Sequence, residues 1–568
     1  MQNLLRAVIC TLNSQYIHSS LAPWCLLAGV REYCGDGIAA CVIEGTINED
    51  IKLAAKRIID ATPDLVGLSC YIWNISQTHM LIALIKSALP ECIIVVGGPE
   101  VSYCAEQVLT DDLLIDYVIS GEGELPFASL LNAISQSDSI PAELGICHRK
   151  IGELSIAEPY VSRSDPPSPY TEDFFSALGG RIAYLETSRG CPFSCAFCLS
   201  GRCGGVRFFD IDRAKSELLL LAGSGARTIK LVDRTFNANR KRAAELYRFI
   251  IENYGSSIPS GVCFHFEIAG DILDEDTLAL LAGAPVGAIQ LEIGLQSFNP
   301  LTLDAIHRKT DIEKLKSNIR KLLLHNNIHI HIDLIAGLPH EDIISFEQSF
   351  NIAYNLKPHM LQLGFLKLLH GADMREQPLD FPCEFSQIPP YEVMSTPWIC
   401  AAELHRLHLI EDALDRIGNS GRFRRTAEYL LFSTGYSPFR LFDEFGSRVS
   451  EESERISLDC YTMLIFDFFN HTTGVDPSVL RDMLICDRLS TNSSGLIPLG
   501  LRIKDDRLKK ARAALELDST TKRPHGARRG LELLYSESCI VYADYDCARP
   551  VIGEYILHKI PLSQLFLF

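Results

Sequence analysis

Residues 186–203 read ETSRGCPFSCAFCLSGRC. The stretch follows the apolar run IAYL and places Cys191, Cys195 and Cys198 in a CxxxCxxC arrangement on one loop. Thiolates are the usual ligands of iron–sulfur clusters. Three closely spaced thiolates can hold three irons of a cubane and leave the fourth iron open, as a catalytic metal site requires. The spacing therefore predicts a 4Fe–4S cluster with one iron that has no protein ligand.

Two other interpretations of these cysteines compete with the cluster. A structural zinc site takes four protein ligands, so it would need Cys203 or a distant residue as the fourth. The chain has 19 cysteines, so three core thiols could also match the pattern by chance. The context favours the cluster, because Gly190 precedes the first cysteine, Phe197 precedes the last, and a strand leads into the loop.

The chain alternates strands and helices from Arg181 onward. Six apolar strand candidates occur, and a helical segment follows each of the first five: IAYLETS, TIKLVD, CFHFEIAG, AIQLEIGLQS, IHIHIDLIAG and MLQLGFLKL. Six β/α units predict a parallel, partial TIM-like (β/α)6 barrel. The active sites of such barrels lie at the C-terminal ends of the strands. Beside the cysteines, those ends carry Asp233, Glu267, Glu292 and Asp333.

The first 140 residues show a second alternating α/β pattern. Five short apolar runs are separated by helical segments: Leu4–Leu12, Ile38–Ile43, Leu65–Ile72, Cys92–Val96 and Tyr117–Ile119. Near-continuous apolar runs suit parallel strands that are buried on both faces. They predict a doubly wound, flavodoxin-like sheet with a ligand crevice beyond the strand ends. Gly97–Glu100 (GGPE) and Ser120–Glu124 (SGEGE) follow the last two strands, and their glycines allow a ligand to approach the backbone closely.

These patterns divide the 568 residues into four expected segments. They are an α/β domain over 1–140, a proline-rich linker over 141–178, the barrel over 179–400 and a mostly α accessory region over 401–568. The formal net charge of −18 argues against nucleic acid as a partner. The sequence shows no apolar stretch of about 18 residues and no signal-peptide pattern at its start. We therefore expect a cytoplasmic protein that has no membrane partner and keeps its cysteines reduced.

The motif CPFSCAFC after a first β/α strand resembles the radical S-adenosylmethionine (SAM) superfamily over roughly residues 181–375. The resemblance implies that the open iron binds SAM and that an electron from the cluster cleaves it to a 5′-deoxyadenosyl radical. It assigns Cys191, Cys195 and Cys198 to the cluster. The SAM contacts that it implies are Phe197, Asp233, Arg234, Glu267, Glu292, Gly294 and Gln296. Asp233 and Arg234 occupy the position where many members have a GGE-like motif. The alternative for each carboxylate is an ordinary helix cap or ion pair.

Joined to a cluster domain, residues 1–138 resemble the cobalamin-binding domains of cobalamin-dependent radical SAM enzymes. The contacts that this implies lie in the loops at the strand ends: Asn13, Tyr16, His18, Ser69, Gly97, Gly98, Glu100, Gly121 and Glu122. Cobalamin mutases carry a DxHxxG loop whose histidine ligates cobalt, and this sequence has no DxHxxG. We therefore interpret His18 as a loop residue that touches the corrin or the core. The alternative is a degenerate domain that is kept for packing.

The two resemblances together imply methyl transfer to an unactivated carbon of an unknown small-molecule or peptide substrate. The deoxyadenosyl radical would remove a substrate hydrogen, cobalamin would deliver the methyl group, and a flavodoxin or ferredoxin would supply electrons. An alternative uses the same cofactors for radical cyclisation, rearrangement or oxidation. A non-catalytic cobalamin or cluster sensor is a third hypothesis, although no DNA-binding or signalling module is visible. The region 401–568 resembles an appendage of unknown role.

Overall fold

The amino-terminal part of the chain forms a seven-stranded sheet. The computed structural model describes residues 4–150, 153–449, 456–517, 530–548, 551 and 553–564. The first strands are β1 (Leu5–Asn13), β2 (Ile38–Thr46), β3 (Leu65–Ser69), β4 (Ile93–Gly97), β5 (Tyr117–Ile119), β6 (Ile146–Lys150) and β7 (Glu153–Ser155). The first helices are α1 (Ala22–Tyr33), α2 (Ile51–Asp60), α3 (Ile75–Ala88), α4 (Ala105–Asp111) and α5 (Glu124–Gln136).

The sheet has the order β2-β1-β3-β4-β5-β6-β7. Strands β1 to β5 pair in parallel, so the predicted doubly wound, flavodoxin-like sheet is confirmed. Residues such as Val66, Ile94 and Val96 are fully buried, because helices cover both faces of these strands. The chain order reverses between β1 and β3, and such a switch point opens a crevice at the C-terminal strand ends.

Part of the segment expected as a linker is structured. Strands β6 and β7 add to the sheet in antiparallel fashion, and β6 pairs with β5. Ile146 and Cys147 are buried, so this short hairpin packs onto the sheet. It covers the edge that β5 would otherwise expose. The low apolar content of β7 hid this hairpin from the pattern analysis.

A second sheet carries the cysteine loop. Its strands and the hairpin beside it are β8 (Ala183–Leu185), β9 (Ser188–Gly190), β10 (Val206–Phe208), β11 (Thr228–Leu231), β12 (Cys263–Ile268), β13 (Ile289–Gln296), β14 (His329–Ala336) and β15 (Met360–Phe365). The accompanying helices are α6 (Glu172–Leu178), α7 (Ile211–Ala222), α8 (Arg240–Asn253), α9 (Glu275–Ala282), α10 (Pro300–Ala305), α11 (Ile312–Leu323), α12 (Ile343–Asn355) and α13 (Asp373–Glu376). The strand order β8-β11-β12-β13-β14-β15 confirms the predicted partial (β/α)6 barrel. Its strands alternate buried apolar residues on the helix-covered face with polar residues on the other face, as in the pairs Phe264/His265 and Ile332/Asp333.

The remainder of the chain is mostly α-helical, as predicted. Its elements are β16 (Glu384–Phe385), β17 (Val393–Ser395), α14 (Ala401–Ala413), α15 (Arg424–Thr434), α16 (Pro438–Val449), α17 (Leu458–Phe469), α18 (Pro477–Thr491), α19 (Asp506–Leu517), β18 (Leu531–Leu534), β19 (Cys539–Ala548) and β20 (Tyr555–Pro561). Helix α16 presents Phe439, Phe442 and Phe445 at helical spacing, and all three are buried. Phe350 of α12 meets Phe439 and Phe442 edge to face, so this aromatic run forms core.

The chain divides into two compact units. The first contains Met1–Leu291, Asp304–Thr310 and Phe365–Pro397, and the second contains Glu292–Leu303, Asp311–Gly364 and Trp398–Phe568. The boundaries expected near residues 140, 178 and 400 stay a prediction. Among the described residues, no helix combines the length and the apolar character that crossing a bilayer requires.

Candidate active site

The three cysteines lie on a loop that a short hairpin closes. Strands β9 and β10 pair antiparallel, with Gly190 opposite Val206 and Arg189 opposite Arg207. Gly190 has a φ of 91°, a conformation that glycine adopts without strain, and this lets the strand turn directly into Cys191. The hairpin forms a stem that closes and restricts the loop that carries the three thiols.

Each of the three thiols has a polar neighbour. The pairs are Cys191 Sγ with Thr235 Oγ1 at 3.4 Å, Cys198 Sγ with the Ser200 amide at 3.5 Å, and Cys195 Sγ with the Arg308 guanidinium at 3.6 Å. Hydrogen-bond donors near the sulfurs are among the factors that set the potential of an iron–sulfur cluster. Arg308 could not be identified from the sequence, because it is 113 residues from Cys195 and no motif marks it.

The electrostatics of Cys195 fit a cluster ligand. Burial raises the pKa of its thiol, Arg308 lowers it, and the neighbouring Cys198 and Cys191 raise it further. Cys198 and Cys191 therefore lie close enough to Cys195 to influence its ionisation, which fits ligands of one cluster. Metal binding requires thiolates, and Arg308 supplies a positive charge that favours them. Three thiolates in this setting fit a 4Fe–4S cluster. The side chain of Cys203, the alternative fourth zinc ligand, lies outside the described part of the structure.

Asp233 anchors the entry to the cysteine loop. Its side chain is 1% exposed, and its carboxylate accepts hydrogen bonds from the Thr187 amide at 3.0 Å, the Thr187 hydroxyl at 2.7 Å and the Ser188 hydroxyl at 2.5 Å. Burial raises the pKa of Asp233 to about 6, against the effect of these three donors. The residue thus holds the turn from β8 into β9. Its expected contact with the SAM amino group stays a prediction.

The other residues expected at SAM occupy several strand ends. Within the first unit, Phe197 is half-buried on the cysteine loop, Arg234 is exposed, and Glu267 forms an ion pair with Lys230 at 3.5 Å. Gly294 lies within β13, in the second unit.

In the second unit, Glu292 meets His331 and Asp333 in a cluster whose ligand atoms lie within 4.8 Å of one another. Gln296 is buried with a positive φ of 76°, and its Oε1 accepts no hydrogen bond from the residues that the structure describes. These acceptors suit a cationic or hydrogen-bond-donating ligand group.

A cavity of about 510 Å³ lies at the C-terminal ends of β1, β3, β4 and β5. Its wall includes most of the residues expected at cobalamin: Asn13, His18, Ser69, Gly97, Gly98, Gly121 and Glu122. The structure does not bring Tyr16 and Glu100 to this wall. Tyr16 is 76% exposed, whereas Glu100 is buried and accepts a hydrogen bond from the Tyr391 hydroxyl at 2.5 Å.

Glycines and aromatic rings shape this cavity. A Cβ atom on Gly98, whose φ is 109°, would lie 2.5 Å from the Cys70 carbonyl oxygen, so only glycine fits there. Tyr71 and Trp73, which the cavity also contacts, stack with ring centroids 4.4 Å apart and planes 7° from parallel. A wall that combines glycine backbone, flat aromatic rings and a few polar groups fits a large planar ligand with polar substituents. Cobalamin is such a ligand.

His18 joins the amino-terminal sheet to the first barrel strand. Its Nδ1 lies 2.7 Å from the Tyr184 hydroxyl, and burial together with Lys230 lowers the pKa of the imidazole. A neutral ring in a hydrogen bond agrees with the interpretation of His18 as a loop residue. Tyr184, Glu186, Arg189 and Arg234 add the barrel side of the same cavity.

An ion-pair network crosses this wall. Arg189, two residues before Cys191, pairs with Glu122 at 2.7 Å, Glu124 at 2.6 Å and Glu186 at 2.8 Å. Burial lowers the pKa of Arg189, but the neighbouring carboxylates raise it well above its usual value, so the guanidinium stays charged. Arg207 adds a second cation on Glu122 at 2.8 Å. From the sequence, Glu122 is expected only as a cobalamin contact, and Arg189 has no expected role.

Three family comparisons agree with this geometry. Residues 11–131 match the B12 binding domain, residues 185–353 match the Radical SAM superfamily, and residues 380–525 match a family described as protein of unknown function (DUF4080). The chain therefore contains a radical SAM domain. More particularly, it joins this domain to a B12 binding domain, and the two domains imply a 4Fe–4S cluster, SAM and cobalamin as cofactors.

Individual curated relatives match about half of the chain. The chain is 28% identical to the cobalamin-dependent radical SAM methyltransferase TokK of Streptomyces tokunonensis, over 54% of this chain and 47% of TokK. It is 26% identical to the anaerobic magnesium-protoporphyrin IX monomethyl ester cyclase of Rubrivivax gelatinosus, over 54% of this chain and 56% of the cyclase. The solved structure of the cobalamin-dependent radical enzyme OxsB has a TM-score of 0.59 at 14% identity, over 85% of this chain and 78% of OxsB, and shows the shared fold. The chain spans about half the length of the curated relatives that it matches.

Proposed function

We propose that the protein transfers a methyl group from SAM to an unactivated carbon of a small-molecule or peptide substrate. The observation that supports this most is the shared wall of the 510 Å³ cavity. Loops of the B12-binding domain form one side. The other side includes Arg189, two residues before Cys191, and Arg234, which precedes Thr235, the residue beside the Cys191 sulfur. A cobalamin in this cavity would face the site where SAM is cleaved.

The cofactors would supply the reactive chemistry, namely an electron from the cluster to SAM and a methyl group carried by cobalamin. Cys191, Cys195 and Cys198 would hold the cluster, with Thr235, Ser200 and Arg308 beside the sulfurs. Asp233 keeps the entry to the loop in place by accepting three hydrogen bonds. The protein therefore acts by positioning its ligands and by excluding water.

A second, larger space offers room for the substrate. A cavity of about 1280 Å³ is lined by Leu199, Ser200 and Arg202 next to the last cluster cysteine. It shares Gly98, Gly121, Glu122 and Arg234 with the smaller cavity, so the two spaces adjoin. Because the larger cavity shares these residues with the smaller one and borders the cysteine loop, a substrate in it would lie near both cofactors.

The products of SAM test this proposal. The anaerobically reconstituted protein would be incubated with reductant, hydroxocobalamin, SAM carrying a CD3 methyl group, and a small-molecule extract of the source cells. Methyl transfer yields S-adenosylhomocysteine together with 5′-deoxyadenosine, and a product that carries the CD3 label. The Cys195→Ala variant, which lacks a cluster ligand, should yield no 5′-deoxyadenosine. Formation of 5′-deoxyadenosine without S-adenosylhomocysteine or labelled product would refute methyl transfer.

A second candidate function is radical ring closure or oxidation with the same cofactors. The match to the magnesium-protoporphyrin cyclase favours it, because the identity is close to that with the methyltransferase. This function would consume SAM to 5′-deoxyadenosine alone, so the same experiment separates the two candidates. A flavodoxin or ferredoxin remains the proposed electron donor for either reaction.

A further inference from the structure

The stem of the cysteine loop is attached to the loop that follows β5. Glu122 Oε2 accepts hydrogen bonds from Arg189 Nη1 at 2.7 Å and from Arg207 Nη2 at 2.8 Å. These arginines lie directly opposite each other on β9 and β10. Two cations at opposed cross-strand positions repel each other unless an anion lies between them. Glu122 therefore holds the two strands of the stem together.

Glu122 also belongs to the wall of both cavities, whereas Arg207 belongs to neither. Its Oε2 serves both arginines, and its Oε1 accepts no hydrogen bond from any residue within the described ranges. A corrinoid carries amide N–H donors around its ring. An amide that donates to Oε1 would fix the carboxylate in the position that holds the stem.

We propose that Glu122, Arg189 and Arg207 form a clamp through which cobalamin in its cavity positions the cysteine loop. They are positioning residues, because they act on the cluster ligands through the β9–β10 stem. The clamp makes the binding of the two cofactors cooperative. Because equilibrium coupling is reciprocal, the cluster must strengthen cobalamin binding by the same factor by which cobalamin strengthens the cluster. The proposal rests on the cofactor assignment and is independent of whether a methyl group is transferred.

The ion pairs around Arg189 make the clamp stiff enough to transmit a displacement of Glu122 to the β9–β10 stem. Arg189 is also paired with Glu124 and Glu186, and its side chain is 16% exposed. Burial raises the pKa of Glu124, but Arg189 lowers it below its usual value overall, so this pair stays ionised. Moving Glu122 would separate opposite charges that are largely shielded from water, which is costly. The stem therefore follows the carboxylate.

The dissociation constant of hydroxocobalamin, measured by anaerobic equilibrium dialysis, tests the clamp. It would be compared between protein that holds the cluster and protein from which a chelator has removed it. We expect cobalamin to bind about tenfold more tightly to the wild-type protein when the cluster is present, within the usual range of coupling between sites. In Glu122→Gln and in Arg207→Gln the two constants should agree within about twofold, since a typical coupling factor is larger than this.

Arg207→Gln is the sharper variant, because Arg207 lines neither cavity itself and can affect cobalamin only through Glu122 and the stem. Arg213→Gln is its matched control. Arg213 lies over the same Phe209 ring as Arg207, but its side chain pairs with Glu217 and the Pro166 carbonyl, so the tenfold ratio should persist. Circular dichroism would confirm that each variant folds, and Arg207→Gln decides the question alone if Glu122→Gln does not. A wild-type ratio near one, or a folded Arg207→Gln that keeps the tenfold ratio, would overturn the proposal.

Discussion

The cysteine loop and the cobalamin cavity are built in opposite ways. The three cysteines lie within eight consecutive residues, 191–198, and the β9–β10 hairpin closes their loop locally. The cavity instead collects residues from strand ends that are distant in sequence, from Asn13 to Arg234. The difference teaches that a local motif reports its own chemistry, whereas a dispersed site becomes visible only through the topology that gathers it.

The largest effect is expected from Cys195→Ala, which tests whether the cavity still binds cobalamin when the cysteine loop has lost its cluster. Loss of one of three thiolates should remove the cluster and lower the formation of 5′-deoxyadenosine at least about a thousandfold, as for a residue on which the chemistry depends. Iron and sulfide analysis and paramagnetic resonance would measure the loss. Cobalamin should still bind, within about tenfold of wild type. Cys400→Ala, at an exposed thiol, is the control. Full sulfide content in Cys195→Ala would contradict the ligand assignment.

Gly98→Val alters the wall of the cobalamin cavity and leaves the cysteine loop unchanged. The new side chain would meet the Cys70 carbonyl oxygen in a backbone conformation that valine avoids, so the cavity wall must move. We expect cobalamin binding to weaken about a hundredfold, which corresponds to about 2.7 kcal/mol, while the cluster spectrum is retained. Gly37→Ala, where a Cβ would meet only Ser135 at 3.9 Å, should bind cobalamin normally. Unchanged affinity in folded Gly98→Val would show that cobalamin lies elsewhere.

Asp233 stands where the barrel leads into the cysteine loop, and its titration should show in stability. Because burial raises its folded pKa to about 6, the native state holds a proton that the unfolded state releases from about pH 4 upward. Stability should therefore fall between about pH 4 and 6, by on the order of 2 kcal/mol from this residue. Urea unfolding across that range would show a smaller fall in Asp233→Asn. An identical slope in both proteins would mean that Asp233 ionises at its ordinary pKa.

The smallest effect is expected at Arg308, which is distant in sequence from the cysteine motif but contacts Cys195. Removing its charge in Arg308→Gln should make the cluster harder to reduce, because a nearby cation favours the more negative reduced state. The midpoint potential should fall by up to about 60 mV, a tenfold change for one electron. Spectroscopic redox titration would measure it, with Arg308→Lys close to wild type. A rise in potential, or no change, would exclude an electrostatic role.

The sequence predicted most of the fold because its strands are short, apolar and separated by clear helices. It missed β6 and β7, since a polar edge hairpin carries little hydrophobic pattern. The cysteine motif marked the loop, and seven of the nine residues expected at cobalamin line the cavity. Glu100 was expected at cobalamin, and its hydrogen bond with Tyr391 could not be anticipated, because the two residues are 291 positions apart. Arg189 and Arg308 act through charges on remote segments, and no local pattern encodes such pairings.

Residues 365–397 return to the first unit after the barrel strands end. Tyr391 covers Glu100, Gly371 presses against Tyr103, and the Met374 amide donates to the Ala196 carbonyl within the cysteine loop at 3.0 Å. A shortened chain that stopped at residue 364 would leave the buried Glu100 carboxyl without its hydrogen bond from Tyr391. The cysteine loop would lose its hydrogen bond from Met374. Minimal versions of the protein for crystallisation should therefore extend through residue 397, although the family match to the appended region already begins at residue 380.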